Sequence, residues 1–187
     1  ATYAGLRRAR AAGALASVDL NLRQVLWADG VDPTPWLWRL LDEAVLVKLA
    51  RNELEYLAEP LGGEEVVFER LFAGHARLVL VTDGAADMQW RTREARGSVT
   101  GFRVRAIDTT AAGDAFVGGL LYRVAEQGID AAGFDAFIAD ATAIEDAMRF
   151  GATCGAIAVT RHGAFAAMPT HADVSQLLQD EDAHGPA

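Results

Sequence analysis

The chain has 187 residues, 51% of them hydrophobic, with a mean hydropathy of +0.12, and its 26 acidic against 17 basic residues leave a net charge of −9. That length and apolar content suit one α/β domain over residues 1–187 with a real core, and exclude a chain disordered by composition. The negative surplus repels polyanions, so neither nucleic acid nor an anionic membrane surface is an expected partner.

The chain opens without methionine and inside a helical pattern, with Leu6, Ala9 and Leu15 among arginines, which is the expectation for a processed or truncated product. Arg7, Arg8 and Arg10 precede no long apolar core, so no signal peptide is expected. Leu15 to Leu20 reads as a strand with polar groups (Asp19, Asn21, Arg23) at its carboxyl end, where open parallel sheets bind ligands. Pro33 and Pro35 open a helix over Trp36 to Glu43. Val45 to Leu49 is a second strand. Asn52 after it is a candidate N-cap, with Glu55 three residues on completing a capping box. Gly62 and Gly63 break the chain before a helix over Glu65 to Phe72, and Leu78 to Thr82 is the most hydrophobic strand, ending in an Asp83-Gly84 turn. Met88–Arg91 and Arg93–Arg96 read as a short hairpin.

Phe102, Val104 and Ala106 alternate with Arg103 and Arg105, the period of a strand. A helical pattern follows from Ala112 to Gln127, and its Gly118 and Gly119 predict close packing. Phe134 to Met148 is mostly helical, Ala152 to Thr160 is a buried helix or strand, and Arg161 to Ala164 is a turn. Val174 to Leu178 is a short last helix before a polar tail, Asp180 to Ala187. Strands alternating with helices predict a parallel sheet covered on both faces. Trp27, Trp36 and Trp38 suit core or interface, while Glu64-Glu65 and Asp180-Glu181-Asp182 suit solvated charge. Cys154, flanked by small residues, suits a buried thiol. His75, His162, His171 and His184 have no metal-ligand spacing. No apolar run reaches about 18 residues, so no membrane span is expected and a cytoplasmic setting is the default.

The stretch Asp108-Thr109-Thr110-Ala111-Ala112-Gly113-Asp114-Ala115-Phe116 organises the rest. A strand, a turn of small residues and a helix start together make an anion site from backbone alone. The first helical turn has amides without partners, the helix dipole is positive there, and small side chains admit a phosphate. Asp114 in that first turn suits a general base beside a bound phosphate, and equally suits a plain capping aspartate.

In order along the chain, this stretch resembles the DTxGAGDxF motif of the ribokinase-like (pfkB) sugar kinases, with Ala111 where glycine is usual. Asp19-Leu20-Asn21-Leu22-Arg23 with Leu26-Trp27 is similar to the DxNxRxxLW of fructokinase-type members. Asn52-Glu53-Leu54-Glu55 resembles the nucleotide-side Asn-Glu-x-Glu segment, and Val81-Thr82-Asp83-Gly84 the VTxG turn. Phe150 to Ala164 resembles the C-terminal FANACGAxxVTRxGA stretch, with Ala152 in place of a frequent asparagine.

The resemblance implies a three-layer α/β/α ribokinase-like fold with a mostly parallel central sheet, here incomplete because the N-terminal portion and the lid are absent. It implies transfer of the ATP γ-phosphoryl to a sugar hydroxyl, fructose being favoured over ribose or adenosine. Asp114 would then be the catalytic base and Ala111, Ala112, Gly113 and Asp114 the anion hole. Asn52, Thr82, Gly84, Ala152 and Gly113 would lie along the nucleotide, and Asn21, Arg23 and Asp114 against the sugar. Mg²⁺ would screen the phosphates. K⁺ would sit by Asp108 with carbonyls of Thr110, Ala158, Arg161 and Gly163. The plainer alternatives remain at this point: a turn aspartate at Asp108, a cap at Asn52, a surface arginine at Arg23 and a simple turn at Thr82-Gly84. A homodimer is also open, since many relatives pair through the lid. Two further readings stand beside the kinase: a nucleotide-binding module completed by a partner, and an inactive truncation with exposed apolar surface.

Overall fold

The computed structural model describes residues 2–184. It divides into two compact units. The first runs up to Asp83 and adds Met88–Gly97 and Asp130–Ile138; the second holds Gly84–Asp87, Ser98–Ile129 and the chain from Ala139.

In the first unit, helix α1 (Thr2–Ala11) precedes strand β1 (Ser17–Asp19), helix α2 (Thr34–Leu41), strand β2 (Leu46–Ala50), helix α3 (Arg51–Ala58), helix α4 (Glu64–Ala73), strand β3 (Leu78–Thr82) and strand β4 (Met88–Arg91). Strand β5 (Arg96–Val99) follows, and among the described residues the five strands form one sheet in the order β1-β2-β3-β4-β5. β1, β2 and β3 are parallel, with Asp19 opposite Lys48 and Ala50 opposite Thr82, whereas β4 runs antiparallel to β3. The sheet is therefore mixed. The hairpin's second arm begins at Arg96 and not at Arg93, because the Thr92 hydroxyl and amide engage Ala95 and hold Thr92–Ala95 as the turn.

Four successive residues of β2 and of β3 are buried, so both faces of these strands are covered, as suits runs that are apolar throughout in β3 and broken only by Lys48 in β2. Val47, Leu49, Val79 and Val81 join Leu37, Trp38 and Leu41 of α2, Leu54 and Leu57 of α3 and Val67, Phe68, Leu71 and Phe72 of α4 in one cluster. Trp38 belongs to this core, but Trp36 is 55% exposed and Trp27 leans on it at 5.7 Å. Helical spacing separates the two: Leu37, Trp38 and Leu41 share the inner face and Trp36 falls outside it. Glu64 and Glu65 are not free charge, since Arg51 and Arg91 pair with them. Helix α6 (Phe134–Ala139) buries Phe134 and Phe137, and its Asp135 pairs with Arg77.

In the second unit, helix α5 (Ala112–Glu126) and helix α7 (Ala141–Val159) meet along small residues. A Cβ on Gly119 would fall 2.5 Å from the Cys154 sulfur, and one on Gly151 would fall 2.6 Å from the Phe116 carbonyl oxygen. Gly118, by contrast, faces open space. Ala152 to Thr160, open between helix and strand on sequence, continues α7 up to its C-cap at Thr160. Asp140 starts that helix by accepting the amides of Thr142 and Ala143. Cys154 is buried, and desolvation pushes its thiol up to about 11.

Two expectations fail in this unit. Residues 100–107 form no strand: Phe102 is buried and Arg103 and Arg105 are exposed, but Ala106 is exposed as well, and no strand among the described residues pairs with them. The last helix, α8 (His171–His184), is far longer than Val174–Leu178 and takes in most of the expected tail. It is capped at its start and held by Val174 in the α5–α7 core and by an Asp182–Arg149 pair. Residues 185–187 lie outside the described residues. No helix among the described residues is long and apolar enough to cross a membrane.

Candidate functional site

The first unit gathers its candidate residues past the carboxyl ends of three adjacent parallel strands. Asn21 and Arg23 follow β1, Asn52 follows β2, and Thr82 ends β3. Asn21 adopts a positive φ of 46°, a conformation asparagine tolerates better than most residues. The Asn21, Arg23 and Asn52 side chains are exposed and Thr82 is half-buried.

Asn52 is not the cap of α3. That position belongs to Ala50, and Asn52 is the second helical residue. The carboxylate that matters is Glu53, only 4% exposed, which reasoning from sequence placed in a motif without a task. One oxygen accepts the Ala50 amide at 2.7 Å and the other the Leu22 amide at 2.6 Å. This is half a capping box, since Ala50 has no side chain to reciprocate. The Ala50-x-x-Glu53 spacing was the available signal, hidden because alanine does not cap. Glu53 thereby ties the Asn21–Arg23 turn to the start of α3. An ion pair of the buried Lys48 with the half-buried Asp19, at 3.2 Å, joins β1 to β2.

The second unit holds the Asp108–Asp114 turn. Ala111 is the N-cap of α5 in the left-handed conformation (φ 59°, ψ 15°). A residue with a Cβ is disfavoured there by roughly 1–2 kcal/mol, which explains why glycine is usual. We expect Ala111→Gly to raise the chain's stability by up to about 1 kcal/mol, read as a higher urea midpoint, the gain in strain being partly offset by glycine's entropy. The amide of Ala112 reaches the Thr109 carbonyl at 3.3 Å and that of Ala115 the Ala111 carbonyl at 2.9 Å. Between them, the amides of Gly113 and Asp114 have no partner among the described residues. Gly155 of α7 supports this turn, since a Cβ there would sit 3.2 Å from the Ala112 carbonyl oxygen. Asp114 is the third helical residue and exposed. Its carboxylate takes no hydrogen bond from the turn among the described residues, so it does not cap.

Asp108 is committed on both oxygens. One accepts the Thr110 amide and the other the Gly163 amide 55 residues away, each at 2.9 Å. The Thr110 hydroxyl first, then the amides of Gly163 and Thr110, pull its carboxyl from 3.8 to about 2. The Ile107 and Asp108 amides both meet the Val159 carbonyl. Asp108, Thr110, Arg161 and Gly163 thus fall together at the end of α7. Ala158 is buried, with its carbonyl accepting the Arg161 amide at 3.2 Å. Because the folded carboxyl is depressed, its stabilising contribution is complete above about pH 4 and is lost as pH falls from there through about 2. Asp108→Asn should remove this part of the acid limb, measured as unfolding between pH 4 and 2. Gly84, with φ 57°, forms the exposed turn of the second unit, and Ala152 is buried within α7.

The sequence matches the model of the pfkB family carbohydrate kinases over residues 1–171. It is 36% identical over 171 residues to fructokinase-1 of Oryza sativa subsp. japonica, covering 91% of this chain and 51% of that protein. Fructokinase-2 of Zea mays is 35% identical over 178 residues. Among solved structures, a fructokinase with bound ATP from Xylella fastidiosa superposes with a TM-score of 0.94 at 48% identity, over 97% of this chain and 56% of that one. A fructokinase double mutant from Vibrio cholerae O395, in its fructose, ADP and potassium ion bound form, gives 0.79 at 32% identity, over 95% of this chain and 54% of that one. The chain spans about half the length of these relatives. Motif order, fold and similarity agree: the chain belongs to the pfkB family of carbohydrate kinases.

Proposed function

We propose that this chain is the nucleotide-binding and catalytic portion of a fructokinase-like enzyme, transferring the γ-phosphoryl of ATP to a sugar hydroxyl. The observation that carries this reading is the start of α5: two unpartnered amides, of Gly113 and Asp114, beside an exposed carboxylate that caps nothing. Amides at a helix start suit the charge of a transferring phosphoryl, and losing one such donor typically costs on the order of 10²–10³ in rate. Asp114 takes the proton of the attacking hydroxyl. The Ala111–Asp114 turn is the anion hole.

Asn52, Thr82, Gly84 and Ala152 are the proposed nucleotide contacts, and Asn21 and Arg23 the proposed sugar contacts. Mg²⁺ arrives with ATP. K⁺ is the proposed companion of Asp108, whose low pKa keeps it ionised, with carbonyls of Thr110, Ala158, Arg161 and Gly163. Fructose is the proposed sugar, supported by the relatives' names and the Asp19-Leu20-Asn21-Leu22-Arg23 segment. A cytoplasmic setting is proposed with it.

The test is fructose-dependent ADP formation by this chain with Mg²⁺ and K⁺. Turnover supports the reading. Its second form is a nucleotide-binding module without turnover. Mg·ATP binding without turnover selects that form, and neither binding nor turnover sinks both.

A further inference from the structure

Helix α8 begins at the last residue matched by the family model, and its first turn does two jobs. Thr170 and Asp173 form a reciprocal capping box. Asp173 Oδ2 accepts the Thr170 amide at 2.8 Å and hydroxyl at 2.9 Å, while the Asp173 amide donates to the Thr170 hydroxyl at 3.2 Å. Capping uses only that one carboxylate oxygen. The other, Oδ1, faces the Arg161 guanidinium at 3.2 Å. Arg161 belongs to the turn that leaves α7, and two residues on, Gly163 donates to Asp108. Asp108 in turn accepts the amide of Thr110, the neighbour of the strained Ala111 cap. The turn at 161–164 is thus held from two sides, by the Asp173 carboxylate of α8 through Arg161 and by the Asp108 carboxylate, which accepts the Gly163 amide.

We infer that Asp173 is a positioning residue: through Arg161 it sets the Gly163–Asp108 clamp, and through that clamp the start of α5. A capping box and the helix dipole account for an acidic third residue but use only one of its oxygens, so the second oxygen facing Arg161 is the part that capping does not explain. The contacts alone carry the mechanical claim. Its consequence for phosphate binding rests on the function proposed above.

The test is amide hydrogen exchange by NMR on the full chain. Asp173→Asn keeps a capping oxygen but removes the charge, and Arg161→Gln removes the partner. Each should speed exchange of the Gly163 amide by about two- to fivefold, the range of a partly exposed ion pair. The double variant should add nothing, and 1 M salt should bring wild type to the variants' level. Thr170→Val is the control. It should speed the Val174 amide, which bonds the Thr170 carbonyl at 3.2 Å, and leave Gly163 unchanged. An unchanged Gly163 in Asp173→Asn, or an equal response to Thr170→Val, overturns the inference. Mg·ATP affinity measured on Asp173→Asn separates the two claims. A matching fall extends the inference to the phosphate site. Unchanged affinity with a faster Gly163 leaves the positioning role intact and counts against the anion-hole reading.

Discussion

Asp114→Asn should abolish fructose-dependent ADP formation, by about 10²–10⁴-fold, while leaving Mg·ATP affinity and the unfolding midpoint close to those of the parent. The asparagine keeps the shape and a hydrogen-bond acceptor but cannot take a proton at neutral pH. Stability should barely move, because the carboxylate is exposed and bonds nothing in its turn among the described residues. If Asp114 were a capping aspartate instead, the same change would cost stability and spare turnover. Equal ADP formation by the parent and the variant would remove Asp114 from the chemistry. A stability loss approaching 1 kcal/mol would return it to the helix.

Glu53→Ala should destabilise the first unit by about 3 kcal/mol. The substitution orphans two amides, of Leu22 and Ala50, that the carboxylate accepts at 2.6 and 2.7 Å. Each unsatisfied buried donor costs roughly 1–3 kcal/mol, and the cost falls below the sum where water reaches the freed groups. Glu53→Gln should lie between, since its amide group satisfies one donor and faces the other with a donor of its own. All four tryptophans, at 27, 36, 38 and 90, lie in the first unit, so tryptophan fluorescence in urea reads this transition. A midpoint shift worth less than about 0.5 kcal/mol would show the clamp to be solvated and dispensable. In the expected outcome the Asn21–Arg23 turn also loosens, and exchange of the Leu22 amide accelerates with it.

Elements governed by near neighbours were legible without tertiary information. The runs at 46–49 and 78–81, the second wholly apolar and the first broken only by Lys48, became the two most buried strands, because such runs suit a sheet covered on both faces. Pro33 and Pro35 stand at the start of α2, Gly62 ends the short turn before α4, and Gly84 makes the turn after β3, as fixed or permissive φ dictates. The Asp108–Phe116 stretch stood out as the proposed anion site because an anion site built from backbone needs contiguous small residues.

What depends on partners distant in the chain was not. The pattern at 102–106 was right for a strand, yet a strand exists only with a neighbour, and none among the described residues pairs there. Gly118 and Gly119 look alike in sequence; only the packing of α7 on α5 sets Gly119 against Cys154 and leaves Gly118 in the open. The Glu53–Leu22 bond spans 31 residues and the Asp108–Gly163 bond 55, and neither long-range half of these clamps leaves a local signature. Composition, period and turn chemistry determined most of which segments are helix, strand or turn. Tertiary structure decided which carboxylates are spent on distant backbone amides, as Glu53 is on Leu22 and Asp108 on Gly163, and that Asp114 takes no hydrogen bond from its turn among the described residues, because a hydrogen bond needs both partners in place and a sequence names only one.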